Sequence, residues 1–397
     1  MAELLSIQEA QQRILERVRP LLSEPVRVER AAGRVLAEAA RAAVDLPPFA
    51  SSAMDGFAVR AADTPGTLPV AFRIAAGRPA SRPLAAGEAM GIATGGVVPQ
   101  GADAVVPVEY VVQYDNDIDI PDPVAPGSNV RPAGGDTRVG DAVVTAGVRL
   151  GPAQLGALAA AGIAEVQCAR TPRAAVLSTG TELQEPGRPL APGQVYEANS
   201  VMLAAQLEAA GAVVRRLSAV EDSEDAHRAA LAAGLEGDVL VTSGGVSVGP
   251  HDLVRRVASE LGVEEVFWGV AVKPGKPISF GVTESALVFG LPGNPVSSLV
   301  GFELFVRPAV LALQGVVDPA PPFEAGTLAR AVRRNPARDE LVRARAARHD
   351  GEVTLDPVSG QDSHMIARAA AADALVLVTR GDGEVPAGAR VEYLRLS

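Results

Sequence analysis

Cysteine is almost missing from the 397-residue chain, where Cys168 stands alone. A single thiol excludes an internal disulfide and any zinc site or iron–sulfur cluster built on cysteine. Histidine is scarce as well, and four scattered residues argue against a histidine-held metal centre. Uninterrupted apolar runs of the ~18 residues that a membrane span needs are absent, so the chain is expected to be soluble. No basic cluster interleaved with aromatic residues marks a nucleic-acid surface. The start, Met1-Ala2-Glu3-Leu4-Leu5-Ser6, lacks the basic segment and apolar stretch of a signal peptide, which leads to the expectation of a cytoplasmic protein. What remains is a globular composition, 48% hydrophobic and 21% charged, with a formal net charge of -11. The length implies two to four domains of roughly 100–150 residues each.

Glycine is concentrated where chemistry needs exposed amides. Val239-Leu240-Val241 reads as a buried strand that runs into Thr242-Ser243-Gly244-Gly245-Val246-Ser247-Val248-Gly249, then Pro250-His251-Asp252 and a helical pattern of Leu253, Val254, Val257 and Leu261. Such a turn can hold an oxyanion on backbone amides and a helix N-terminus. An ordinary strand-to-helix junction explains this one stretch equally well. Two more strands end the same way, residues 174–178 before Thr179-Gly180-Thr181-Glu182-Leu183 and residues 287–291 before Pro292-Gly293-Asn294-Pro295. In the last, Asn294 suits an N-cap and Pro295 a first helical residue, which predicts a helix over 296–313 strained by Pro308. Loops beyond the carboxyl ends of parallel strands converge on one crevice. Lys273-Pro274-Gly275-Lys276-Pro277 adds a cationic loop, and a chain of net charge -11 needs local cations to hold an anion. Alone, that loop would read better as a solvated turn.

Along the chain, residues 7–22 and 28–40 show helical periodicity, the second weakened by Gly33. Short β-like runs divided by Gly and Pro follow to about residue 130, with residues 114–121 read as an exposed acidic connection. A helix over 152–162 precedes a regular strand–helix alternation over 174–315, which includes a helix from Asn199 as N-cap to Gly211. Asp318-Pro319-Ala320-Pro321-Pro322 is a linker, and beyond it His349-Asp350-Gly351-Glu352 is a hairpin turn in a small β domain. Residues alone thus support an anion-binding α/β enzyme.

Motif order carries the reading further. Ser52-Ala53-Met54-Asp55-Gly56-Phe57-Ala58-Val59, Gly127-Ser128-Asn129-Val130-Arg131 with Gly135-Asp136, Ser178-Thr179-Gly180-Thr181-Glu182-Leu183, residues 243–249, 273–277 and 291–295 occur in the order found in the MoeA-type molybdopterin molybdenumtransferases. That family includes the C-terminal region of gephyrin, and the resemblance covers nearly the whole chain. It implies a multidomain α/β protein. Residues 1–45 and 138–172 would form a discontinuous helical domain, and 46–137 a β-rich insert. Residues 173–317 would form a parallel α/β domain like molybdopterin adenylyltransferases, and 318–397 a C-terminal β-barrel. It also implies a homodimer with the site between subunits, and a possible partner in the adenylyltransferase.

The implied reaction inserts molybdenum from molybdate into adenylylated molybdopterin with magnesium-dependent release of AMP. Glu182, Asp222 and Asp252 correspond to the acidic positions that would hold Mg2+ and substrate, hard oxygen ligands being suited to that ion. Asp55, Lys273 and Lys276 join them as the catalytic set. Thr94, Arg131, Asp136, Thr179, Gly180, Ser243, Gly244, Gly245, Ser247, Gly249, Pro292, Gly293, Asn294, Pro295 and Ser363 are implied substrate contacts. Phe57 stands where the family commonly has tyrosine, and Thr181 where it commonly has aspartate. Two other readings are open: a tungstate-inserting paralogue, and a non-catalytic molybdopterin-binding scaffold.

Overall fold

In a computed structural model of the chain, residues 4–75, 77–220, 223–245 and 253–396 are described. The chain separates into two compact units, residues 1–24, 33–37 and 168–397 in one and residues 25–32 and 38–167 in the other.

The larger unit is built on a six-stranded sheet in the order Val213–Val220, Arg173–Thr179, Val239–Ser243, Leu287–Leu291, Ser279–Val282 and Glu264–Trp268. The first four strands are parallel and the last two antiparallel. The central strands read as continuous apolar runs because both faces are covered. Val176, Val241 and Phe289 pack with Leu203, Leu207 and Phe302 on one side, and Leu177, Leu240 and Val288 with Leu231, Val254 and Val257 on the other. The register sets Ser178 opposite Ser243 and Ser243 opposite Leu291, so three carboxyl ends stop at one level.

The helix predicted after Asn294 spans Pro295–Leu313, 19 residues with a mean hydropathy of 1.6. It is apolar and long enough to cross a membrane by composition, yet 78% of that window is buried inside the protein, as befits a core helix. Pro308 strains it in a defined way. Residues Phe302–Val306 widen into a π turn, with the Arg307 amide bonding back to the Phe302 carbonyl. Pro308 has no N–H for the Leu304 carbonyl four residues back, and that carbonyl accepts instead from the Gln11 side chain at 2.9 Å. Gln11 lies on the first helix, Ile7–Arg17, whose start carries a reciprocal cap between Ser6 and Glu9. Residues 28–40 differ from expectation: only Val28–Arg30 makes a turn of 3-10 helix, and Gly33 at φ +74° cannot continue one.

Beyond the linker, five strands close on themselves. Asp339–His349 pairs with Glu352–Pro357, then Glu324–Leu328, Arg390–Arg395 and Ala374–Val378, which returns to Asp339–His349. Val342, Ala344, Leu355, Val376 and Tyr393 fill the interior. The predicted hairpin forms at Asp350-Gly351, both at positive φ, which matches the right-handed twist of the strands it joins. A short strand, Val272–Lys273, leaves the α/β part and pairs in parallel with the start of Asp339–His349.

The smaller unit holds a six-stranded sheet in the order Ala104–Pro107, Gly56–Val59, Ala89–Ile92, Gly66–Ile74, Asp117–Ile120 and Val112–Tyr114. Alternation sends Phe57, Val59, Ile118 and Ile120 to one core and Ala58, Ile74, Met90 and Val105 to the other. Residues 114–121 are therefore an edge hairpin turning at Asp115, where the sequence suggested a connection, because Ile118 and Ile120 both bury on one face. The helix Pro152–Ala160 ends as predicted at Gly162, φ +77°.

Candidate functional site

A cavity of about 560 Å³ opens where the three parallel strands end. Thr179, Glu182, Ser243, Gly293, Asn294 and Pro295, all named from the sequence, line it together with Glu197, Asn199 and His364. The turn after Ser243 runs at φ +91° at Gly244 and +64° at Gly245. A Cβ at Gly244 would stand 2.6 Å from the Thr179 carbonyl oxygen, and one at Gly245 would stand 2.5 Å from a Val254 methyl. Only glycine permits that backbone to pack so close to the neighbouring loop.

Thr179 is 9% exposed, and its hydroxyl has no hydrogen-bond partner among the described residues. Buried hydroxyls are normally paired, so this one marks a place for a polar group that the described residues do not supply. Glu182 is exposed beside it and makes no ion pair among the described residues. Ser243, 2% exposed, shares its hydroxyl with the Pro292 carbonyl at 3.3 Å and Ser298 Oγ at 3.4 Å. Ser298 Oγ also donates to the Pro292 carbonyl at 2.5 Å, and the Gly244 amide donates to the Leu291 carbonyl at 3.0 Å. Asn294 takes the N-cap position and Pro295 the first helical turn, as expected, without a side-chain capping bond. Ser363 reaches this region through its backbone, its carbonyl accepting from the Val296 amide at 3.0 Å.

The Ser363 loop is fixed from the strand Asp339–His349, on the face opposite the barrel interior that Val342 and Ala344 fill. Arg343, 1% exposed, donates to the carbonyls of Met365 and Gly360 at 3.0 Å and of Asp362 at 3.2 Å, and to Gln361 Oε1 at 3.3 Å. Burial pulls this guanidinium below its ordinary pKa. Lys273 Nζ pairs with Glu340 Oε1 at 3.0 Å and borders a second cavity, about 530 Å³, with Arg333, Arg334 and Gln361. Lys276 is exposed and unpaired among the described residues.

The remaining expected residues belong to the smaller unit or lie outside the described residues. In the smaller unit, Asp55 accepts from the Thr94 amide at 2.7 Å and the Thr94 hydroxyl at 3.0 Å. Those bonds, the amide first, hold the Asp55 carboxyl below its ordinary value and keep it ionised. Arg131 sits on a two-residue strand paired with Ser51–Ser52, and the Asp136 amide bonds to the Leu46 carbonyl. Asp222, Ser247, Gly249 and Asp252 lie outside the described residues. Among the described residues, no group of three His, Cys, Asp or Glu side chains could hold a metal ion.

Sequence reasoning missed Glu197 and gave Asn199 a different task. Glu197, 7% exposed, accepts from Ser178 Oγ at 2.8 Å, from the Ser200 amide at 2.7 Å and from the Ser200 hydroxyl, with Arg216 at 3.9 Å. Asn199 is the first helical residue rather than the N-cap, which is Ala198. Its amide nitrogen donates to Ser243 Oγ and to the Gly293 carbonyl, each at 2.7 Å. The only available signal was an acid and an amide crowded before a helix in Tyr196-Glu197-Ala198-Asn199-Ser200.

A parallel α/β sheet with glycine turns around a polar cavity, continued by a closed barrel, defines a multidomain α/β protein with a ligand site at its strand ends. Residues 5–162 match the MoeA N-terminal region (domains I and II), 175–312 a probable molybdopterin binding domain, and 325–396 the MoeA C-terminal region (domain IV). Molybdopterin molybdenumtransferase of Haemophilus influenzae is 36% identical, with 98% of each chain covered. Molybdopterin molybdenumtransferase 2 of Mycobacterium tuberculosis is 37% identical over 99% of this chain and all of that protein. The crystal structure of the molybdopterin biosynthesis MoeA protein from Pyrococcus horikoshii superposes with a TM-score of 0.83 at 32% identity, covering both chains fully. The chain belongs to the molybdopterin molybdenumtransferase family, and is thereby a transferase of molybdenum cofactor biosynthesis.

Proposed function

We propose that this enzyme inserts molybdenum from molybdate into adenylylated molybdopterin and releases AMP with the help of magnesium. The observation that supports it best is the strand-end cavity, where a buried Thr179 hydroxyl and an exposed Glu182 carboxylate, neither with a partner among the described residues, line one space within a chain of this family. Glu182 offers the hard oxygen chemistry that suits Mg2+, and Asp222 and Asp252 would complete the set. Bound there, the ion would neutralise charge developing on phosphate oxygens during cleavage. The protein's own work is positioning. Thr179 Oγ1 and the Gly245 amide orient the substrate's polar groups, while Lys276 supplies positive charge to an anion that a chain of net charge -11 otherwise repels, Lys273 being engaged by Glu340 at the second cavity. A homodimer in which Asp55 of the partner subunit completes the site, a cytoplasmic location, and a delivering adenylyltransferase belong to the same proposal.

The test is AMP release from adenylylated molybdopterin by purified protein, with and without molybdate and magnesium. Release that requires both and yields molybdenum-loaded pterin is the expected result. Binding of the adenylate without AMP release would overturn the reading in favour of a scaffold, and release driven only by tungstate would reassign the oxyanion.

A further inference from the structure

Three sheet strands contribute loops to the cavity, yet a parallel sheet fixes only the strands, and the loops beyond need their own ties. One short segment supplies them all. Glu197 holds Ser178 at the end of the first strand through its carboxylate. Two residues on, Asn199 holds Ser243 at the end of the second and Gly293 in the turn after the third. Ser200, bonded to Glu197 by both amide and hydroxyl, locks the segment to the start of the helix Asn199–Ala209 and receives Arg216 Nε at 3.1 Å. The orientation of the Asn199 amide is settled by its partners, since the Gly293 carbonyl can only accept. Both of its N–H groups are therefore spent on loops, while the Ser200 amide in the first turn of its helix is taken by Glu197. An asparagine that capped its helix would serve the helix alone, whereas this one spans two loops that otherwise meet through the Ser243 hydroxyl and the Gly244 amide.

We propose that Asn199, seated by Glu197, is a positioning residue that sets the separation of the Ser243-Gly244-Gly245 and Pro292-Gly293-Asn294 turns and thereby the geometry in which the cavity receives a pterin substrate. The inference rests on the reading of the cavity as the molybdopterin site. Removing the amide frees both turns and leaves the strands and helix as they are. Asn199→Ala should therefore weaken molybdopterin binding about tenfold or more, the effect of losing two loop-fixing hydrogen bonds. Asn199→Asp keeps the size, removes the donors and places an acid in the first helical turn, where it favours the helix. Facing the Gly293 carbonyl and adding negative charge to the cavity, it should weaken binding at least as much as Asn199→Ala. Ser243→Ala in an Asn199→Ala background should add to the loss, because it also removes the Ser243–Pro292 bond that remains between the turns. Glu197→Gln, which retains an acceptor, should lose less than Glu197→Ala.

The experiment is titration of the full-length protein and these variants with molybdopterin, alongside thermal melts. Failure of the unaltered protein to bind molybdopterin would remove the functional reading itself. Tight binding by the unaltered protein with unchanged affinity in both Asn199 variants would overturn the positioning role and leave the functional reading standing.

Discussion

Asp55 illustrates how a single side chain is prepared. It is fully exposed, yet two bonds from Thr94 favour its ionised form. A carboxyl depressed in the folded state contributes stability above its ordinary value of 3.8, and that contribution fades as pH falls through the lower folded value. In an NMR titration the Asp55 carboxyl should show a midpoint below 3.8, and Thr94→Val, which keeps the amide bond and removes the hydroxyl, should move it part of the way back. An unshifted midpoint in the unaltered protein would show that the bonds do not persist in solution. At this scale the sequence was informative about type and weak about partners. Asp55 and Thr94 were both named, but nothing in a motif separated by this length of chain states that one side chain bonds to the other. Asn199 shows the converse. Its placement before an apolar helical run makes it a natural N-cap by local rules, but the helix starts one residue earlier than that and the Asn199 amide donates to two distant loops.

Elements were more legible than contacts. The strand-to-glycine transitions at residues 179, 243 and 291 were readable because continuous β-branched and aliphatic runs, ended by Gly or Pro, have few other uses. Asp350-Gly351 was readable for the same local reason. Residues 28–40 were not, since helical spacing of apolar residues there reflects burial against other segments while Gly33 breaks the backbone. The helix Pro295–Leu313 lies between these cases: Pro308 announced strain, but its relief through a π turn and a side chain from the first helix is a tertiary matter. Gln11→Ala should leave the Leu304 carbonyl without its donor and cost roughly 1–2 kcal/mol, the range for an unsatisfied buried acceptor. A urea midpoint equal to that of the unaltered protein would mean that water replaces Gln11 there.

Across the whole molecule, the proline-rich linker read from the sequence accounts for only one connection between the α/β part and the barrel. The strand Val272–Lys273 adds a second, because residues far upstream of the linker pair with the barrel at Asp339 and Glu340, and Lys273 adds its ion pair to Glu340. The two parts fall in one compact unit. Their connection is therefore redundant: one route is covalent, through residues 318–322, and the other is a seam of backbone pairing. A protease that nicks the linker should release nothing, the two fragments eluting together on gel filtration and parting only in denaturant. The peptide bond there would be dispensable to the assembled protein in the way a hinge pin is to a door that has been nailed to its frame.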